Sequence, residues 1–117
     1  MKIGMVGLGR MGANMVRRLV RGGHGAVVND RNFDAALALA ADGGDVTPAA
    51  TLEDLVAALP APRAVWLMLP AGATTDEVVD RLATLLSPGD LLVDGGNSLY
   101  KDDVRRAAAL APAGIRY

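Results

Sequence analysis

The sequence contains no cysteine. Disulfides are therefore excluded, and so are thiolate nucleophiles and cysteine-ligated metal sites. Aromatic residues make up only 3% of the chain, against a hydrophobic fraction of 51% that is rich in alanine. A core of that composition is aliphatic and close-packed, with small residues where helices cross a sheet. Nor is there an excess of one charge: 12 Lys+Arg face 13 Asp+Glu, a net of −1. That balance argues against a nucleic-acid or anionic-membrane surface. The longest apolar run, around Ala64 to Leu69, is far too short to span a bilayer. At the start, a glycine turn and Arg10 interrupt any signal-peptide core, so the expected location is cytoplasmic. With no linker, repeat or low-complexity tract, one domain over residues 1–117 is expected.

What the chain has instead is glycine, concentrated where it matters. Lys2 to Val6 is a short apolar run with the length and composition of a buried strand. It leads straight into Gly7-Leu8-Gly9-Arg10-Met11-Gly12, a G-x-G-x-x-G turn. Beyond it Met11, Met15, Val16, Leu19 and Val20 recur at helical spacing, with Arg17, Arg18 and Arg21 on the other side. Gly22-Gly23 stops that helix. Ala26 to Val28 forms a second strand that ends at Asn29-Asp30.

Each part suits a dinucleotide. Gly7 permits the tight turn, Gly9 lets backbone approach the pyrophosphate, and Gly12 lets helix and strand pack closely. The helix terminus offers free N–H groups and a positive dipole end to phosphates. Asp30 stands at about the distance of the acid that hydrogen-bonds the adenine ribose hydroxyls. That acid points to NAD, while Arg31 beside it suits the 2′-phosphate of NADP.

Further along, Phe33, Leu37, Ala40 and Ala41 belong to a second helix, and Asp45 to Pro48 fits a brief third strand. Thr51-Leu52-Glu53-Asp54 has the form of a helix start, with Leu52, Leu55, Val56 and Leu59 as its apolar side. Arg63 to Leu69 lacks polar alternation after the arginine, as expected of a strand covered on both faces. Thr74 with Glu77 reads as a capping box for the next helix, which buries Val78, Val79, Leu82, Leu85 and Leu86. A strand over Asp90 to Asp94, a helix from Leu99 to about Ala111 and the opening of a sixth strand at Gly114 to Tyr117 complete the chain. This alternation predicts an α/β doubly wound parallel sheet of Rossmann type, in the order 3-2-1-4-5-6.

Ligands of such sheets bind outside the carboxyl ends of the strands. Besides the glycine turn, two segments lie there. Leu69-Pro70-Ala71-Gly72 is either a wall of the cofactor site near a ribose or a plain strand-ending turn. Asp94-Gly95-Gly96-Asn97-Ser98 joins two glycines, an amide and a hydroxyl; its glycines allow a ligand close to the backbone. Asn97 is either a ligand contact or a turn residue, and Ser98 suits an N-cap. Arg10 either adds charge to the phosphate turn or is solvated. His24 reads as a surface loop residue, and Trp66 and the methionines as core or pocket wall.

The chain resembles the decarboxylating 6-phosphogluconate dehydrogenases, within the wider β-hydroxyacid dehydrogenases. The carriers are Gly7-Leu8-Gly9-Arg10-Met11-Gly12-Ala13-Asn14 and, more specifically, Val93-Asp94-Gly95-Gly96-Asn97-Ser98-Leu99-Tyr100-Lys101-Asp102. The resemblance implies oxidation of 6-phosphogluconate with NAD or NADP, release of carbon dioxide, and homo-oligomers of the full-length protein. It implies cofactor contacts at Gly7 to Gly12, Asp30, Arg31, Leu69 and Pro70, and substrate and nicotinamide contacts at Asn97. The family's catalytic lysine and glutamate match no position here, so no catalytic residue and no metal ligand is assigned. The chain then reads as the amino-terminal part of such an enzyme or as a non-catalytic dinucleotide-binding remnant. A fragment of a hydroxyisobutyrate-type dehydrogenase is the enzymatic alternative.

Overall fold

The computed structural model describes residues 2–69, 73–95 and 100–117. Five strands alternate with helices: β1 (Lys2–Val6), α1 (Arg10–Arg21), β2 (Gly25–Asn29), α2 (Phe33–Ala41), β3 (Val46–Pro48), α3 (Leu52–Ala58), β4 (Ala64–Leu67), α4 (Ala73–Leu85), β5 (Leu91–Asp94) and α5 (Tyr100–Leu110). All pairings are parallel, in the order β3-β2-β1-β4-β5. A parallel bridge from Leu91 to Arg116 sets the last segment beside β5, where a sixth strand belongs. The expected order therefore holds for these five strands, with β1 at the centre, and the place of the sixth is taken by that bridge.

Successive strand residues go to opposite faces, and each face has its own core. Val6, Val27, Val65, Leu67 and Leu92 meet α3, α4 and α5 through Leu55, Leu59, Val79, Leu82 and Leu110. Met5, Ala26 and Val28 meet α1 and α2 through Val16, Ala36 and Leu39. This double coverage is why Arg63 to Leu69 shows no polar alternation. It also explains Gly4, where a Cβ would lie 2.9 Å from Leu59 Cδ1 and 3.0 Å from Leu55 Cδ2.

Helix faces are less faithful to the sequence pattern. Met11 is exposed although it opens the apolar stripe of α1, which buries Gly12 and Val16. In α2 Phe33 and Leu37 are exposed and Ala36 and Leu39 are buried. Where alanine fills most positions, several faces are apolar enough, and contact with β2 and β3 selects one. The capping box at Thr74 does not form as expected, because α4 already begins at Ala73. Thr51 does cap α3, accepting from the Asp54 N–H at 3.1 Å.

At the amino ends of β4 and β5, Asp90 is buried. It accepts the Ser87 N–H at 2.8 Å and the Arg63 N–H at 2.6 Å, and pairs with the Arg63 guanidinium at 3.3 Å. Burial alone would raise its pKa, but these donors outweigh burial and hold the carboxyl below its usual range.

Candidate functional site

The register of the sheet builds the site. Asn29, Val6, Leu67 and Asp94 form one row across four strands. The next residues, Asp30, Gly7, Met68 and Gly95, stand one step beyond it at the carboxyl edge. Backbone bonds continue the ladder there, from the Gly7 N–H to Asn29, the Met68 N–H to Val6 and the Gly95 N–H to Leu67. Strand order reverses direction between β1 and β4, so a crevice opens at that point.

The crevice is a cleft with two lobes. One, of about 460 Å³, is lined by Gly7, Gly9, Asp30, Arg31, Met68, Leu69 and Thr74. The other, of about 240 Å³, shares Gly7, Asp30, Arg31, Leu69 and Thr74 and extends to Ala50, Thr51, Leu52 and Val78.

The three glycines of the turn are required for three different reasons. Gly7 has φ +96°, and a Cβ there would lie 2.4 Å from the Met68 carbonyl oxygen. At Gly12 a Cβ would lie 2.1 Å from the Gly7 carbonyl oxygen, so only glycine lets α1 sit on the turn. Gly9 has an ordinary φ of −65°, and among the described residues no atom lies within 4 Å of a built Cβ. Neither backbone strain nor internal packing asks for glycine at 9, so the open space in front of it suits a ligand. Gly9 is also the N-cap of α1 and makes no side-chain cap, so the first N–H groups of the helix are not covered by one. An anionic diphosphate group matches that terminus in shape and charge.

The other expected residues fall into two groups. Asp30, Arg31 and Leu69 line the cleft with Gly7 and Gly9. Leu8 does not: its side chain is buried in the α1 core and its N–H donates to Asp30 Oδ2 at 2.6 Å. Arg10 and Met11 are exposed at the start of α1 and contribute no lining to either lobe. Pro70 and Asn97 lie outside the described residues. His24 is exposed in the turn before β2, as expected. Sequence reasoning missed Thr74 and Thr51 as cleft residues, because both read as helix starts, whereas Met68, read as core or pocket wall, lines the cleft.

Gly95 corrects the reading of its glycine pair as room for a ligand. A Cβ there would lie 2.0 Å from Trp66 Nε1 and 2.7 Å from Met68 Sδ. The indole N–H itself donates to Met68 Sδ at 3.2 Å. Packing against Trp66 thus accounts for glycine at this position. Gly95→Ala is expected to cost about 1–3 kcal/mol of stability through overpacking, measured by urea unfolding.

Behind β5 lies a buried polar network that the sequence did not announce. Arg106 is 2% exposed; its Nε donates to Asp76 at 2.9 Å and its Nη1 to Asp94 at 3.4 Å. The Tyr117 hydroxyl donates to Asp94 Oδ2 at 3.2 Å. Burial, with the Asp94 carboxylate and against the Arg106 guanidinium, pushes the Tyr117 phenol from 10.0 up to about 12. Above its ordinary pKa the unfolded chain loses this proton while the folded chain keeps it. Stability from this group is thus present below pH 10 and lost between pH 10 and 12. Urea midpoints across that range are expected to fall less steeply in Tyr117→Phe.

Comparison with known proteins agrees with this geometry. Residues 2–117 match the model of the NAD-binding domain of 6-phosphogluconate dehydrogenase. The chain belongs to that family. It is 43% identical over 113 residues to an NAD(+)-dependent decarboxylating 6-phosphogluconate dehydrogenase of Haloferax volcanii, covering 97% of this chain and 37% of that one. A 6-phosphogluconate dehydrogenase of Plasmodium falciparum, studied with NADP+ and with 6-phosphogluconate, superposes with TM-score 0.92 at 27% identity. It covers all of this chain and 26% of its own. A Mycobacterium tuberculosis 3-hydroxyisobutyrate dehydrogenase superposes with TM-score 0.77 at 30% identity, over 98% of this chain and 38% of its own. The chain spans 24% to 38% of the length of the curated relatives it matches.

Proposed function

We propose that this chain is the cofactor-binding part of a decarboxylating 6-phosphogluconate dehydrogenase, serving pentose phosphate metabolism with NAD as its preferred cofactor. The observation that carries the reading is Gly9, where no described residue comes within 4 Å of a built Cβ and the space in front of the α1 terminus suits a ligand. Gly7, Gly9, Gly12 and the α1 terminus hold the pyrophosphate. Asp30 and Arg31 meet the adenosine ribose, and Leu69 with Pro70 forms a wall. Asn97 positions substrate against the nicotinamide. The cofactor supplies the hydride acceptor for oxidation of a secondary alcohol.

Asp30 favours NAD because a 2′-phosphate would bring like charges together. At about 4 Å and an effective dielectric of about 20 the repulsion is roughly 4 kcal/mol, reduced by solvent. Arg31 acts in the opposite sense. Trp66 is the one tryptophan and donates its indole N–H to cleft-lining Met68, so its fluorescence is expected to respond to occupancy. Titration is expected to show tighter binding of NAD than of NADP; the reverse order would hand the choice to Arg31.

These 117 residues are expected to bind dinucleotide without oxidising 6-phosphogluconate. A general base must stand roughly 2.6–3.2 Å from the reacting hydroxyl or act through one water. Lys2 lies at the amino end of β1 beside Asp45, on the far side of the sheet. Lys101 falls in the first turn of α5 and is the one local lysine near the ligand edge. Reduced cofactor accumulating with the isolated chain, and lost in Lys101→Ala, would overturn this expectation. We place the full-length protein in the cytoplasm as a homo-oligomer that engages neither nucleic acid nor membrane; the balanced charge of these 117 residues is in keeping with the absence of a nucleic-acid partner.

A further inference from the structure

The glycine turn is gripped from several directions before any ligand arrives. The Gly7 N–H donates to the Asn29 carbonyl at 2.9 Å, and the Met68 and Gly12 backbones close on Gly7 from two other sides. One rung further, the β2 backbone no longer faces the turn, because the chain bends into α2 with Asn32 as its N-cap. Leu8 is buried at this point. A buried N–H without a partner costs about 1–3 kcal/mol in general, so some acceptor has to replace the missing rung. The replacement is Asp30: its Oδ2 accepts the Leu8 N–H at 2.6 Å while its Oδ1 accepts the Asn32 N–H at 2.9 Å.

We propose that Asp30 is a positioning residue for the pyrophosphate turn, clamping Leu8 to the start of α2, besides any part in reading the ribose. The carboxylate ties together two segments 22 residues apart in sequence. Leu8 is the residue between the turn glycines Gly7 and Gly9, so its N–H sets the plane of the peptide that leads into Gly9. Loss of the clamp leaves the turn free to tilt that peptide, and the grip on any diphosphate weakens with it. Ribose reading and turn order then reside in one side chain. Its removal does not simply convert NAD preference into NADP preference; it lowers affinity for both. The ligand consequence rests on the proposed dinucleotide site, whereas the clamp itself is readable without ligand.

Amide hydrogen exchange on the 117-residue chain reads the clamp directly. The Leu8 amide is expected to exchange about tenfold faster or more in Asp30→Ala, the size of one charge-assisted hydrogen bond, with the Met5 and Val6 amides unchanged. Asp30→Asn, with one acceptor oxygen left, is expected to fall between, and it decides the matter if Asp30→Ala does not fold. Inorganic pyrophosphate carries no ribose, so its titration separates the two roles. Asp30→Ala is expected to weaken pyrophosphate as well as NAD, and NAD at least as much because its ribose contact is lost too. Unchanged Leu8 exchange, or intact pyrophosphate affinity beside weakened NAD, would overturn the proposal. Failure of the wild-type chain to bind either ligand would refute the dinucleotide reading, while Leu8 exchange would still decide the clamp.

Discussion

Gly9→Ala is expected to lower NAD affinity by about a hundredfold, near 2.7 kcal/mol, while changing stability by less than about 1 kcal/mol. Among the described residues the added methyl meets no atom within 4 Å, and it sits on a backbone of ordinary φ. It occupies the space in front of the α1 terminus, where a diphosphate must come close to the N–H groups. Gly12→Ala is the internal contrast. Its Cβ would lie 2.1 Å from the Gly7 carbonyl oxygen, a backbone atom that cannot swing aside. That variant is expected to lose about 1–3 kcal/mol of stability as α1 lifts from the turn, and binding with it. Urea unfolding and Trp66 fluorescence titration on both variants give the two readouts. A Gly9→Ala chain that binds NAD like wild type would remove the main support for a ligand at this turn.

Arg106→Met is expected to destabilise the fold by about 3–5 kcal/mol, the general cost of stranding a buried charge. Arg106 and Asp94 have side chains 2% and 3% exposed, so the carboxylate would lose the Arg106 guanidinium in a buried setting. Asp76 is more open and is shared with the surface residue Arg105, so Asp76→Asn is expected to cost less. Arg106→Met combined with Asp94→Leu is expected to recover most of the loss, because no isolated charge then remains. Urea midpoints of the three variants test this ranking. Equal losses in Arg106→Met and the double variant would mean that packing around Arg106, and not charge pairing, dominates.

The sequence by itself determined the fold class, the strand order and the location of the glycine turn. Those rest on local signals: a run too apolar for a one-sided strand, helices bounded by Gly22 and Thr51, and glycines at the spacing a tight turn requires. Each is encoded within a few neighbouring residues, so no tertiary knowledge was needed. Gly95 shows where that logic ends. Beside Gly96 and Asn97 it read as room for a ligand, but the indole of Trp66, nearly thirty residues earlier, is what excludes a Cβ there.

Only the tertiary structure decided which alanine-rich face of α2 is buried, since Ala36 and Phe33 lie on surfaces of similar local pattern. It alone joined Arg106 to Asp94, Asp76 and Tyr117, whose ordinary surface-type side chains carry no mark of burial in sequence. It also turned Asp30 toward the Leu8 N–H. The common physical reason is range. Periodicity and capping act within one or two helical turns, whereas a buried charge or a missing ladder rung finds its partner through sheet register, and register is set by distant strands.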